Sequence, residues 1–185
     1  MRYVIGLDLS LTAPAAVAIP IGWRPGNWRA VDADLLKPDA PSKDDLEGQF
    51  RRYRVIAEWA KKFAATHGGG AVAATFRESY GFSQNTTGGS RIMESGGIVC
   101  YTLYTAFAIV PRPVAANSAR KFLLGFSPSK RTGHNAKVEV QAALFKAGAP
   151  KKWEENICDA FVVANFGLTE LGQTGVSVAG AGGRK

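Results

Sequence analysis

The chain has 185 residues, of which 46% are hydrophobic and 21% are charged, and it carries a formal net charge of +8. This length suits one domain with a sizeable core, and no apolar run reaches the roughly 18–20 residues that a membrane-spanning helix needs. The N-terminal stretch lacks a secretory cleavage pattern. We therefore expect a single cytoplasmic domain over residues 1–171, followed by a disordered Gly/Ala/Val-rich tail over 172–185.

The cysteine content and the charge narrow the class of protein. Cys100 and Cys158 lie in apolar runs outside any CxxC or Cys/His cluster, which argues against a structural zinc site. The basic excess favours a polyanionic partner, because each neutralised phosphate releases counterions. Basic charge alone does not identify a nucleic-acid enzyme, so the evidence has to come from motifs.

The first half of the chain predicts three strands and a helix. Apolar runs over 3–9 and 15–19 indicate two strands joined by a turn, and a looser alternation over 28–36 indicates a third. Short connections make these strands an antiparallel meander. From Asp44 the apolar residues recur at helical spacing, which predicts a helix that ends at the glycines 68–70. The basic residues on its other face suit either solvent or DNA.

The second half alternates strands and helices. Residues 71–76 predict a strand, followed by a polar loop over 79–90 and a helix over 91–107. A proline-containing strand over 109–115 suits a sheet edge. The remaining predicted helices cover residues 117–124, 135–145 and 154–169. This order predicts an α/β fold with a mixed five-stranded sheet flanked by helices.

Three carboxylates stand in segments that are otherwise apolar. Asp8 lies in the first strand, Glu78 follows another core strand, and Asp159 lies in the last helix. A buried carboxylate is costly unless it is paired, hydrogen-bonded or bound to a metal. Each one alone can be explained by a structural ion pair, for example between Glu78 and Arg77. Together they favour convergence on a divalent cation with oxygen ligands.

Four segments carry a family resemblance. GLDLSLTAPAAVAI (residues 6–19) has an aspartate on the first strand, and RESYGF (77–82) has a glutamate before an aromatic-bearing loop. ANSARKFLLG followed by NAKVEVQ is a basic segment, and NICDAFVVANFG (156–167) has an Asp-Ala pair in an apolar helix. In this order they resemble the RuvC-type Holliday junction resolvases of the RNase H-like superfamily, over most of residues 1–171.

The resemblance implies an RNase H-like fold and a crossover junction endodeoxyribonuclease acting in DNA recombination and repair. Asp8, Glu78 and Asp159 would hold two Mg²⁺ or Mn²⁺ ions, which would promote hydrolysis of the phosphodiester. The fourth ligand position, acidic or histidine in many relatives, is Asn156 here, whose carbonyl oxygen can bind a metal without adding charge. Because Glu155 can substitute for it, the fourth ligand stays open.

The resemblance also implies contacts with branched DNA. Lys137 and either Arg120 or Lys121 match family lysines near the scissile phosphate, so Lys137 counts among the catalytic candidates. Tyr80 and Phe82 are candidates for stacking on an exposed base. The full set of candidate DNA-binding residues is Tyr80, Phe82, Arg120, Lys121, Lys130, Arg131 and Lys137. Ordinary surface charge and core packing are the alternatives for these residues.

The family acts as a two-fold dimer, because a symmetric cut through a four-way junction needs two sites. The helix over 91–107 is the expected interface, with Ile98, Val99, Leu103 and Tyr104 as apolar contacts. Short chains of this type also resemble bacteriophage-encoded resolvases, which implies a bacterial or phage-infected host cell.

Three alternatives remain. The same carboxylates serve RNase H-like nucleases that cut RNA–DNA hybrids or flaps. A non-catalytic junction-binding protein is a second alternative, suggested by Asn156. A sugar-kinase-like ATPase is disfavoured because such proteins need two domains and a second Gly-rich phosphate motif.

Overall fold

The structure is a computed structural model that describes residues 1–79, 86–126, 136–173, 175 and 177. Five strands form one mixed sheet with the order β3-β2-β1-β4-β5. The strands are β1 (Tyr3–Asp8), β2 (Ala15–Pro20), β3 (Asp32–Leu35), β4 (Ala74–Glu78) and β5 (Arg112–Val114). The helices are α1 (Leu46–Thr66), α2 (Thr86–Phe107), α3 (Ala116–Leu124), α4 (Ala136–Lys146) and α5 (Glu155–Glu170). The predicted mixed five-stranded α/β fold is confirmed.

The central strand is β1. It pairs antiparallel with β2, where Asp8 lies opposite Ala15, and parallel with β4, where Gly6 lies opposite Phe76. β3 is antiparallel to β2, and β5 is parallel to β4. Because β1 and β4 run in the same direction, their carboxyl ends meet at one edge of the sheet. Asp8 and Glu78 are the last residues of these two strands.

Alternation along β1 divides the core into two layers. Ile5 and Leu7 pack with α1 and α2 on one face of the sheet. Val4 packs in the opposite layer, and Gly6 lies against the backbone of α5. Since successive side chains of a strand point to opposite faces, Asp8 lies on the α5 side, in line with Val4 and Gly6.

An aromatic cluster covers the sheet on the α5 side. Trp23, Trp28 and Trp153 surround Phe161 of α5, with ring centroids 5.3–5.7 Å from it. The indole Nε1 of Trp28 donates to the carbonyl oxygen of Ala147 at 3.0 Å, which satisfies its polar atom inside the core. These contacts fix the connection between α4 and α5 over the end of β2.

Several element boundaries differ from the sequence-based expectations. Residues 28–30 form a short 3₁₀ helix anchored by buried Trp28, so the third strand is only Asp32–Leu35. α1 begins after Asp45, whose carboxylate caps it by accepting from the Gly48 N–H at 2.7 Å. α2 begins at Thr86, five residues before its predicted start, and it continues through its glycines despite their low helix propensity.

Within the described ranges, no helix combines the length and apolarity needed to cross a membrane. Most of the predicted disordered tail over 172–185 lies outside the described residues.

Candidate active site

Asp8 and Glu78 lie side by side at the carboxyl edge of the sheet. The register pairs Leu7 with Arg77, so the next residue of each strand is one of the two acids. Phe76, two residues before Glu78, packs in the α5-side core, and therefore Glu78 points to the same face as Asp8. Arg77, the alternative partner considered for Glu78, donates instead to the backbone oxygen of Glu78 at 3.1 Å.

Asp159 reaches the same edge from α5, which packs against β1, β2 and β4. The Asp159 side chain is only 2% exposed. Arg120 of α3 donates to its Oδ1 from Nη2 at 3.0 Å and from Nε at 3.3 Å, and lies 3.9 Å from Oε2 of Glu78. One guanidinium therefore bridges two of the three predicted carboxylates.

Lys137 of α4 forms a second bridge. Its Nζ lies 3.1 Å from Oδ2 of Asp159 and 3.1 Å from Oε1 of Glu155. Asp159 thus contacts one cation through each of its oxygens. The carboxyl edge of the sheet therefore brings together four acids and two basic residues: Asp8, Glu78, Glu155, Asp159, Arg120 and Lys137.

The pKa of Asp8 is raised to about 7. Burial of the carboxylate is the main cause, followed by the charges of Asp159 and Glu78. Lys137 and the backbone N–H of Ser10 oppose this shift. Asp8 is therefore poised to take or lose a proton near neutral pH in the absence of further positive charge.

The pKa values of Glu78 and Lys137 are both raised. Burial raises the pKa of Glu78, with Arg120 opposing the shift and Asp159 adding to it. Burial by itself lowers the pKa of Lys137, but the charge of Asp159 and hydrogen bonds to Asp159 and Glu155 raise it above its usual range. Lys137 consequently remains an ammonium group at neutral pH.

Asn156 lies one helical turn before Asp159 and braces the β1–β2 turn. Its Nδ2 donates to Oγ of Ser10 at 3.1 Å and to the carbonyl oxygen of Ala13. Ser10 in turn accepts from the backbone N–H of Ala13 at 3.1 Å. The amide nitrogen is therefore engaged in structure, and a ligand role for the carbonyl oxygen of Asn156 stays a prediction.

The residues of the site suit a hard divalent cation in charge and donor type. Four carboxylates surround two basic groups, which leaves a deficit of two positive charges when every acid is ionised. Carboxylate oxygens are the ligands that Mg²⁺ and Mn²⁺ accept. However, no three acidic, histidine or cysteine side chains of the described residues stand close enough together to form a ready metal-binding group. Arg120 and Lys137 occupy the space between them.

Not every candidate DNA-binding residue can be placed. Lys121 of α3 is exposed on the surface, next to the inward-facing Arg120. The remaining candidates Tyr80, Phe82, Lys130 and Arg131 lie outside the described residues. Of the two residues proposed for one family position, Arg120 is therefore the one that contacts the acids.

The predicted dimer helix exposes only part of the expected interface, since Tyr104 is exposed and Ile98 is partly buried. Val99 and Leu103 lie on the face of α2 that packs into the core. They are 0% and 1% exposed, so they are not available to a partner. Met93, Tyr101 and Tyr104 are the exposed apolar residues of this helix. Their spacing places them on one face, which is the side turned away from the sheet.

The sheet order and the flanking helices of this chain fit an α/β fold of the RNase H-like type. Its fold is that of RuvC, as two solved structures show. One, described as T. thermophilus RuvC in complex with Holliday junction substrate, has a TM-score of 0.64 and 11% identity, covering 93% of this chain and 97% of that one. A Thermus thermophilus RuvC structure has a TM-score of 0.60 and 17% identity, covering 93% and 98%. No protein-family model and no curated protein matches the sequence.

Proposed function

We propose that this protein is a metal-dependent endonuclease that resolves four-way DNA junctions by paired phosphodiester hydrolysis. The observation that supports this most is the meeting of Asp8, Glu78 and Asp159 at one sheet edge, together with two cations. The fold adds support, since one similar structure is a complex of RuvC with a Holliday junction substrate.

Asp8, Glu78 and Asp159 would hold Mg²⁺ or Mn²⁺, with Glu155 or Asn156 as a further oxygen donor. Bound ions of this kind activate a water molecule and stabilise the leaving oxygen. Asp8, whose pKa is about 7, loses its proton readily when positive charge approaches. Lys137 stays charged and about one-third exposed, which suits contact with a phosphate oxygen.

Paired cutting requires two copies of the site. We propose that α2 forms the two-fold interface through the exposed stripe defined by Met93, Gly97, Tyr101 and Tyr104. Gly97 lacks a side chain at the centre of this stripe, and a Cβ built there meets nothing within 4 Å. A partner helix can therefore approach closely at this point.

The test is cleavage of a synthetic four-way junction in Mg²⁺, beside a linear duplex, a flap and an RNA–DNA hybrid. We expect paired nicks in the junction, and no cleavage in EDTA. Asp8→Asn should reduce the rate by at least about a hundredfold, because it removes a charge on which a cation depends. Junction affinity in EDTA should stay within about threefold, since binding relies on basic residues.

Glu170→Gln is the matched control, because it removes an exposed acid from the far end of α5. An active Asp8→Asn protein, or cleavage that persists in EDTA, would contradict the proposal. Preferred cleavage of the hybrid or the flap would assign the same site to a different substrate. Junction binding by the wild type without any cleavage would indicate a non-catalytic protein.

A further inference from the structure

Arg120 is placed as a fixed counter-ion of the acidic site. We propose that its guanidinium competes with divalent metal ions for Asp159 and Glu78, so that metal loading requires Arg120 to leave. This inference rests on the proposed function, because it concerns regulation of the same site. It assigns Arg120 a role that differs from phosphate binding alone.

The geometry of the contact supports competition. Two nitrogens of Arg120 converge on one oxygen of Asp159, at 3.0 and 3.3 Å, and the Arg120 side chain is only 11% exposed. An ion pair shielded from water is much stronger than one on the surface. The same guanidinium lies 3.9 Å from Glu78. A cation that binds both acids would have to take the position where Arg120 now lies.

Arg120 is better suited than Lys137 to compete with a divalent cation for the carboxylates. Its neighbours on α3, Ala119 and Leu123, are buried at 1% and 0% exposure, which fixes the base of the side chain. The planar guanidinium places two nitrogens on one oxygen of Asp159, whereas the ammonium group of Lys137 contacts Asp159 through a single nitrogen. Lys137 is 31% exposed and can turn toward solvent at lower cost.

The consequence is coupling between metal and DNA. A guanidinium released from Asp159 can bind phosphate oxygens in a bidentate manner. A phosphate that attracts Arg120 would therefore free the carboxylates for metal, and the two ligands would favour each other's binding. Without DNA the site would hold metal weakly.

The test is calorimetric titration of Mn²⁺ into the EDTA-treated, DNA-free protein. Arg120→Gln should bind Mn²⁺ about fivefold more tightly than the wild type, or better, because the competing charge is gone. Lys121→Gln is the matched control: it removes the same charge from the adjacent exposed position and should change affinity by less than about twofold. Equal or weaker Mn²⁺ binding by folded Arg120→Gln would overturn the inference.

Two further variants keep the test decisive. If Arg120→Gln does not fold, Arg120→Lys replaces it: a lysine retains the charge but offers Asp159 one nitrogen in place of two, so a smaller gain is expected and no gain would refute competition. Asp8→Asn separates the two proposals. If the wild type binds Mn²⁺ in an Asp8-dependent way but Arg120→Gln gains nothing, only this inference fails. If neither the wild type nor Arg120→Gln binds Mn²⁺, both fail.

Discussion

Gly6 of β1 lies directly against Ala160 of α5. A Cβ at position 6 would overlap the carbonyl oxygen of Ala160 and approach the backbone nitrogen of Ala164 to 2.6 Å. Only glycine permits this approach of helix to strand. Because Asp159 precedes Ala160 and Asp8 lies two residues beyond Gly6 on the same face, this contact sets the separation of the two acids.

Gly6→Ala should therefore damage both stability and the site. The added methyl group has backbone on two sides, so α5 must move away from β1, at a cost of about 1–3 kcal/mol or more. Thermal unfolding should show a lower Tm, and junction cleavage should fall even at temperatures where the variant is folded. Gly70→Ala, at an exposed position with open space around it, is the control and should be nearly neutral. An unchanged Tm for Gly6→Ala would refute the argument.

The pKa of Asp8 predicts a pH-dependent stability difference. The folded protein holds a proton on Asp8 up to about pH 7, whereas the unfolded chain loses it near the ordinary aspartate pKa of 3.8. Between these values the folded state binds more protons, so the free energy of unfolding falls as pH rises. The Asp8→Asn variant has no carboxyl at this position and does not lose stability in this way. Its free energy of unfolding relative to the wild type should therefore increase by roughly 2–3 kcal/mol from pH 5 to pH 8.

Chemical denaturation in EDTA at the two pH values measures this difference. EDTA is needed because a bound cation would lower the pKa of Asp8. Glu170→Gln, at an exposed position, should show no such trend. A relative stability of Asp8→Asn that is the same at pH 5 and pH 8 would show that Asp8 is not buried in this way.

The stripe on α2 predicts the oligomeric state. Tyr101 is 71% exposed, and Tyr101→Glu would place a charge in the centre of the proposed two-fold interface. Sedimentation should show a dimer for the wild type and a monomer for the variant. Leu46→Glu, an equally exposed apolar position on α1, should remain a dimer. A wild type that is monomeric at micromolar concentration would remove this interface from the proposal.

The aromatic cluster predicts which tryptophan matters for stability. Trp28→Phe deletes the hydrogen bond to Ala147 and leaves that partly buried carbonyl with one partner fewer, at a cost of about 1 kcal/mol. Trp59→Phe also deletes an indole hydrogen bond, but its acceptor Asp34 stays accessible to water, so the cost should be smaller. Urea denaturation of both variants gives the comparison, and equal losses would contradict it.

The sequence predicted the five-stranded sheet because buried strands leave strong local signals, and the charges that interrupt apolar segments indicated the candidate acids. Asp8, Glu78 and Asp159 interrupt apolar runs, and the alternation of Val4 and Gly6 with Asp8 could also have identified the face on which the site lies. The same alternation along β4, the parallel strand beside β1, places Glu78 on that face as well.

Other features depended on contacts that have no local signature. The choice between Arg120 and Lys121 was left open, although helical spacing places Arg120 with buried Leu123 and Leu124 and leaves Lys121 outside. The hydrogen bonds of Asn156 to residues 10 and 13 join parts of the chain far apart in sequence. Val99 and Leu103 were assigned to an interface because apolar character does not distinguish a core from a partner.

β1 is synthesised well before α5, which covers one of its faces. A growing polypeptide therefore keeps Asp8 apart from its helical counterpart Asp159 until α5 has been made. A chain interrupted between Glu78 and α5 holds two of the three acids but lacks Asp159. The cluster of acids is therefore completed in a single step, when α5 packs against β1.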